Sequence, residues 1–174
     1  MVFHNGQIYR TVTKARWAVF FDYLKVPYEY EKETFKLDKE LYYLPDFWLP
    51  EQDVLIDIKE GLPEEEDRYK MVKLHAATGK KVYIFAGFPE VLSFSDPFES
   101  NSYVNEICNF GTYVVDEINP GSCVSFPTKT DNIAMMHVLG LNNSNMQVHE
   151  YHFLTDRFNK AAIRGKEETF VWIG

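Results

Sequence analysis

Apolar side chains surround residues 14–25, KARWAVFFDYLK, and leave no polar stripe wide enough to face water, so this segment reads as a largely buried helix. Thr11 or Thr13 suits its N-cap. Val26-Pro27 ends it, because proline cannot continue a helix and restricts the residue before it. In YEYEKETF, residues 28–35, aromatic and acidic side chains alternate with period two, the mark of a half-buried strand. LYYLPDFWL (41–49), PEQD (50–53) and VLIDIK (54–59) follow as strand, turn and strand. LPEEEDRYKMVKLHAATG, residues 62–79, carries helix signals at both ends. Pro63 suits the first turn, Glu64, Glu65, Glu66 and Asp67 suit its positive end, and Gly79 suits the left-handed position past the last turn. KKVYIFAG (80–87) reads as a buried strand, and a strand, helix, strand succession of this length implies a right-handed parallel crossover. The order through residue 87 is therefore α-β-β-β-α-β.

Beyond residue 87 the pattern weakens. FPEVLSFSDPFESNSYVNEICNF has scattered turn residues and no sustained period. GTYVVDEINPGSCVSF reads as a hairpin turning at Asn119-Pro120-Gly121, LTDRFNKAAIR as a short last helix, and TFVWI as a tail that packs back. The division expected is a core over residues 1–90 and an extension over 91–174 packed on it as one compact unit. A length of 174 residues is enough to bury a real core, and the 45% hydrophobic share argues against disorder. No run of about 18 apolar residues is present, so no membrane span is expected. MVFHNGQIYR lacks a basic head followed by an apolar stretch, which makes the cytoplasm the expected compartment.

The net charge of -8 weighs against an extended nucleic-acid surface. It is uneven: residues 1–90 carry 13 Lys and Arg against 16 Asp and Glu, and residues 91–174 carry 5 against 10. A polyanion would meet the first part, and the acidic second part suits a protein target. Two cysteines, Cys108 and Cys123, form neither a disulfide framework nor a zinc set and read as free thiols.

The charges inside the 41–59 hairpin raise the chemical question. With a turn at Pro50 to Asp53, Leu49 pairs with Val54 and Asp46 falls opposite Asp57. Facing side chains in such a pair have Cβ atoms about 4.5–5.5 Å apart, and like charges there repel. A hard divalent cation would answer the repulsion, since Mg²⁺ is commonly held by one or two carboxylates and keeps several waters. Lys59, two residues past Asp57, projects from the same face and would polarise a water or steady a phosphate oxygen. A plainer alternative stands beside this one: Asp46 caps a turn after proline, Asp57 faces solvent on an edge strand, and Lys59 blunts that edge.

Pro45-Asp46 followed by Asp57-Ile58-Lys59, set in this order of elements, resembles the PD-(D/E)xK nuclease superfamily. TKARWAVFFDYLKVPYEYEKETFKL and YYLPDFWLP are similar to a group of small phage and bacterial members, and the resemblance covers about residues 9–90. It implies an α/β fold: a restriction-endonuclease-like core with a mixed central sheet flanked by helices, extended by a hairpin and a short helix. It also implies phosphodiester hydrolysis with Mg²⁺ or Mn²⁺. Asp46, Asp57 and the carbonyl of Ile58 would be metal ligands, Lys59 would lie near the nucleophilic water, and DNA would be the leading partner. The narrower group carries a glutamate immediately before Ala-Arg-Trp, where this chain has Lys14. A lysine there repels a cation, or replaces it with a fixed positive charge that pairs with Asp46. Two functions follow as expectations: a metal-dependent nuclease, or a catalytically degenerate nuclease-fold protein that binds nucleic acid or protein as an inhibitor or accessory factor. A homodimer is compatible with either.

Arg10, Lys14, Arg16, Lys25, Lys70, Lys73, Lys80 and Lys81 are either a nucleic-acid approach, led by Lys14, Arg16, Lys70 and Lys73, or ordinary solvated positions. HEYH (149–152) lacks the spacing of a helical zinc motif, NPGS lacks the glycines and lysine of a phosphate loop, and His75 reads as a satisfied interface histidine. NNSN (142–145) matters only in a secreted chain.

Overall fold

The computed structural model describes residues 1–95, 103–125 and 156–174. Among them the chain is mixed α/β, with three helices and a six-stranded mixed sheet. A short hairpin of β1 (Val2–His4) and β2 (Gln7–Tyr9) opens it. Asn5 and Gly6 carry it round with φ of 46° and 83°, both in the left-handed region that a two-residue turn of this kind requires. Helix α1 (Val12–Leu24) follows, and Thr11 is its N-cap, accepting a hydrogen bond from the Lys14 amide at 3.3 Å. It ends one turn short of Pro27, at Lys25, which takes a left-handed φ of 58° so that its amide reaches the last carbonyls.

The expected strand over 28–35 is broken. β3 (Glu29–Tyr30) and β4 (Phe35–Lys36) are separate two-residue strands, because Glu31 turns at a φ of 46° and donates its amide to the Asp46 carbonyl. The expected strand over 41–49 breaks as well, into β5 (Tyr42–Tyr43) and β6 (Phe47–Leu49). Pro45 stands between them and has no amide to continue a ladder. β4 and β5 pair off in a two-stranded sheet of their own. The hairpin of β6 with β7 (Val54–Lys59) keeps the register read from the sequence, Leu49 with Val54 and Phe47 with Ile56.

Helix α2 spans Glu65–Thr78 with Glu64 as N-cap, so Pro63 lies just outside the first turn and not within it. Gly79 ends it at a φ of 68°, as its position implied. β8 (Lys81–Ser95) returns parallel to β7, with Asp57 beside Ile84. It then runs on through the stretch that had no period and pairs antiparallel with β9 (Tyr103–Val115). The register shifts between Gly87 and Glu90, which moves the alternation to the other face and hides the strand from a periodicity test. β10 (Val124–Ser125) completes the hairpin expected at Asn119 to Gly121, helped by Asp116 Oδ1, which accepts from the amides of Ile118 and Asn119 at 3.0 Å each. Helix α3 (Asp156–Glu167) packs on α1, and the tail forms β11 (Val171–Trp172) against β1.

The main sheet has the order β10-β9-β8-β7-β6-β3. β8 crosses residue 90, so residues beyond that point supply part of the central sheet as well as the α3 cover. One core lies between the sheet and α1 with α3. Trp17 is fully buried there among Phe20, Phe21, Phe85 and Phe88, and its indole donates to the Gly87 carbonyl at 2.9 Å. The second lies between the other face and α2, from Leu55, Met71, Leu74, Val82, Ile84 and Val115. β7 is therefore covered on both faces, and five of its six residues are buried.

Candidate functional site

Asp46 and Asp57 are 2% and 3% exposed; Asp57 lies on β7 in the interior of the sheet, and Asp46 in the bend just before β6. The edge-strand reading of Asp57 fails on this point, since β7 lies between β6 and β8. Proline sets up the first acid by freeing residues 44–46 from the ladder. Alternation sets up the second: Asp57 shares its side of β7 with Leu55, whose side chain belongs to the α2-side core, and with Lys59.

Positive charge does meet this pair, and it comes from the chain itself. The Lys14 ammonium, carried by the first turn of α1, lies 2.6 Å from Asp46 Oδ1, and the Ile58 amide donates to Asp46 Oδ2 at 2.7 Å. Lys59 lies 3.0 Å from Asp57 Oδ2 and 2.7 Å from Asp67 Oδ1. Asp57 Oδ2 has only that ion pair and no aligned hydrogen bond. At the rim, Thr13 Oγ1 donates to Glu60 Oε2 at 2.5 Å. Two groups of ion pairs result, Lys14 of α1 with Asp46, and Lys59 of β7 with Asp57 and with Asp67 at the start of α2.

Burial, and then the proximity of Asp57, push the Asp46 carboxyl up to about 7; Lys14 and the Ile58 amide pull the other way and lose. Burial and Asp57 together hold the Tyr43 phenol well above its ordinary range, so it stays a neutral donor. For Lys59, burial works to lower the ammonium, but Asp57 and Asp67 outweigh it and the net direction is up. Asp67 moves down: burial raises it, while Lys59 and the Glu64 amide lower it by more.

Divalent-cation binding can be tested on these contacts. Each oxygen of Asp46 already has a donor, one of them a full ammonium, and a cation brought to that carboxylate would meet Lys14 at close range. Among the described residues no three His, Cys, Asp or Glu side chains are grouped to hold a metal. With Lys14 in place, the residues present do not fit Mg²⁺ or Mn²⁺ at the Asp46, Asp57 and Ile58 position.

The residues read as a nucleic-acid approach are dispersed and mostly engaged. Lys14 is turned into the site, Lys70 pairs with Glu66 at 2.6 Å, Lys73 lies over the Tyr69 ring, and Arg16 has its Nε buried. Arg10 pairs with Glu31, Lys80 with Asp53, and Lys81 approaches Asp116 at 3.9 Å. His75 is buried at the far end of α2, its Nδ1 2.7 Å from the Lys80 carbonyl. Cys123 is half-buried, and burial lifts its thiol to about 11. HEYH, NNSN and the Cys108 side chain lie outside the described residues.

Tyr43 and Asp67 were not singled out from sequence. Asp67 was visible only as one of four acids at a helix start, and Tyr43 only as a strand aromatic. Comparison with protein-family models, curated proteins and solved structures gives no match for this chain. No helix among the described residues is long and apolar enough to cross a membrane.

Proposed function

We propose that this chain is a restriction-endonuclease-like protein of the PD-(D/E)xK type whose metal position is closed by Lys14, and that it acts by binding. In that role it is an inhibitor or accessory factor, not a metal-dependent hydrolase. The single observation that carries the reading is the buried Lys14 to Asp46 ion pair, at 2.6 Å. An ammonium supplies the positive charge that two facing carboxylates demand, without the open coordination positions that hydrolysis requires. The engagement of most basic side chains with acids, on a chain of net charge -8, favours a protein partner over DNA.

A second reading, a Mg²⁺-dependent DNA nuclease, is favoured by the closeness of buried Asp46 and Asp57 with half-buried Lys59 paired to Asp57. The two are separated by incubating the protein with plasmid, single-stranded and branched DNA in Mg²⁺ or Mn²⁺, beside Asp57→Ala. The binding reading expects no metal-dependent cleavage and no change of melting temperature with metal. Cleavage that Asp57→Ala abolishes would overturn it in favour of the nuclease. Lys14→Glu is expected to raise Mn²⁺ affinity; an unchanged affinity would show that Lys14 is not what closes the position.

A further inference from the structure

The three-stranded sheet has the order β11-β1-β2, so β11 and β2 are its edges. Backbone parity decides what each edge exposes. Across the two-residue turn His4 lies opposite Gln7, so the main-chain groups of Val2 and His4 point at β2 and those of Met1 and Phe3 point at β11. The Ile173 amide accordingly donates to the Met1 carbonyl at 3.1 Å, and Phe3 lies opposite Val171. Residues 171 and 173 therefore direct their main-chain groups at β1, and the amides and carbonyls of Phe170 and Trp172 point away from the sheet. Among the described residues no strand pairs with them. On β2 the residue in the equivalent position is Ile8, and its carbonyl accepts from the Gln7 side-chain amide at 3.2 Å. β11 is thus the open edge.

Side chains and charge fit the same edge. On the outer face Ile8, Phe3 and Val171 stand in one row across the strands, all exposed. On the inner face Phe170 packs against the core and edge-on to His4, while Trp172, next on that face, overhangs it at 73% exposure. None of the three strands holds an Asp, Glu, Lys or Arg, though the chain carries a net charge of -8. Sheet edges are ordinarily kept apart by a lysine, a proline or a bulge, and β11 has none of these. An antiparallel copy of the same edge complements it in donors and acceptors and brings no charge against charge.

We propose that this edge is the contact of a homodimer, formed when β11 pairs antiparallel with β11 of a second copy about a two-fold axis at Val171. The two three-stranded sheets then run on as one. This register uses both outward-pointing residues: Phe170 of each copy lies opposite Trp172 of the other, and each pair exchanges amide and carbonyl in both directions. It also seats each overhanging Trp172 ring beside the Phe170 ring of the other copy and joins the two outer apolar rows at Val171. Main-chain pairing carries the contact and few side chains are buried by it, so the dimer depends on concentration. The inference stands apart from the reading of the Asp46 cluster, and the variants below leave that cluster intact.

The test is sedimentation equilibrium of the whole chain from roughly 10 µM to roughly 1 mM, a range that reads weak association. A monomer and dimer in equilibrium are expected. Trp172→Pro removes an outward amide and the ring but no bond to β1, and should leave monomer at every concentration; Trp172→Ala keeps the amide and should weaken the dimer less. Val171→Lys, at a position 66% exposed, sets like charges against each other at the axis and should weaken the dimer at least about tenfold, with the melting temperature of the monomer unchanged. Register is read by oxidative cross-linking, with the wild-type chain as blank. The two Val171 Cβ atoms would lie about 4.5–5.5 Å apart, so Val171→Cys should give a disulfide-linked dimer, while Thr169→Cys, on the same face but displaced by roughly 13 Å, should not. A monomer throughout, a dimer indifferent to both Trp172→Pro and Val171→Lys, or equal cross-linking at the two positions would overturn the proposal.

Discussion

Lys14→Met keeps most of the aliphatic stem of the lysine and removes its ammonium, leaving Asp46 facing Asp57 with only the Ile58 amide to help. Breaking a buried pair by removing one partner costs about 3–5 kcal/mol if the other stays ionised. Asp46 has an escape, because its carboxyl already sits near 7 in the folded protein against 3.8 in an unperturbed chain. Between those two values the folded state holds the proton more tightly than the unfolded state. Asp46 therefore contributes stability that is complete below about pH 4 and lost as pH rises through about 7, on the order of 4 kcal/mol in all. Without Lys14 the carboxyl moves higher still, and protonation limits the damage. At pH 5.5 both proteins hold Asp46 neutral, and the variant should differ by less than about 0.5 kcal/mol. At pH 8.5, about 1.5 units above the wild-type value, the loss is capped near 2 kcal/mol. Urea unfolding at the two pH values reads this directly. With an m-value of about 2 kcal/mol per M, the midpoint should fall by roughly 1 M at pH 8.5 and hardly move at pH 5.5. Adding Asp46→Asn should remove the pH-dependent part. A midpoint shift of equal size at both pH values would refute the argument that Lys14 acts on an ionised buried carboxylate.

Lys59→Met strips Asp57 Oδ2 of its ion pair and should cost about 3 kcal/mol at pH 8, measured by the same unfolding experiment. Asp67→Asn keeps Lys59 on Asp57 but weakens both the second ion pair and the α2 cap, for about 1–2 kcal/mol at pH 7. Because the Asp67 carboxyl is lowered in the folded state, that difference should be present above about pH 4 and disappear as acid protonates it; a difference that persisted at pH 2 would contradict its origin in charge. Trp17→Ala opens the centre of the α1-side core and drops the bond to Gly87, so thermal unfolding should register a loss of about 3–5 kcal/mol. Gly79→Ala, at a φ of 68° with open space around it, should cost about 1 kcal/mol through backbone strain alone.

The legible elements share a cause. α1 and α2 carry their own start and stop chemistry, and β7 is a continuous apolar run bounded by turns, so short stretches of chain suffice to recognise them. The pairing of Leu49 with Val54 and Phe47 with Ile56 was readable because turn length fixes the register of a tight hairpin. β3 to β5 were misjudged because a left-handed Glu31 and an amide-less Pro45 break the ladder without breaking the alternation. The β1–β2 hairpin had a strong local signal, Asn5-Gly6, that a reading centred on the later motifs passed over. The upper part of β8 and β9 offered no such signal, since the shift at Gly87 to Glu90 scrambles the period.

By itself the sequence determined the register of the β6–β7 hairpin and that Lys59 follows Asp57 on the same side of β7, because backbone geometry over a few residues dictates both. It left two roles for Lys14, which is 32 residues from Asp46 in the chain. Only the tertiary structure chose between them, by bringing the first turn of α1 over the end of the hairpin and the N-terminus of α2 against Lys59. Attraction between charges in a poorly hydrated interior depends on distance in space and on burial, and folding alone sets those for residues far apart in the chain.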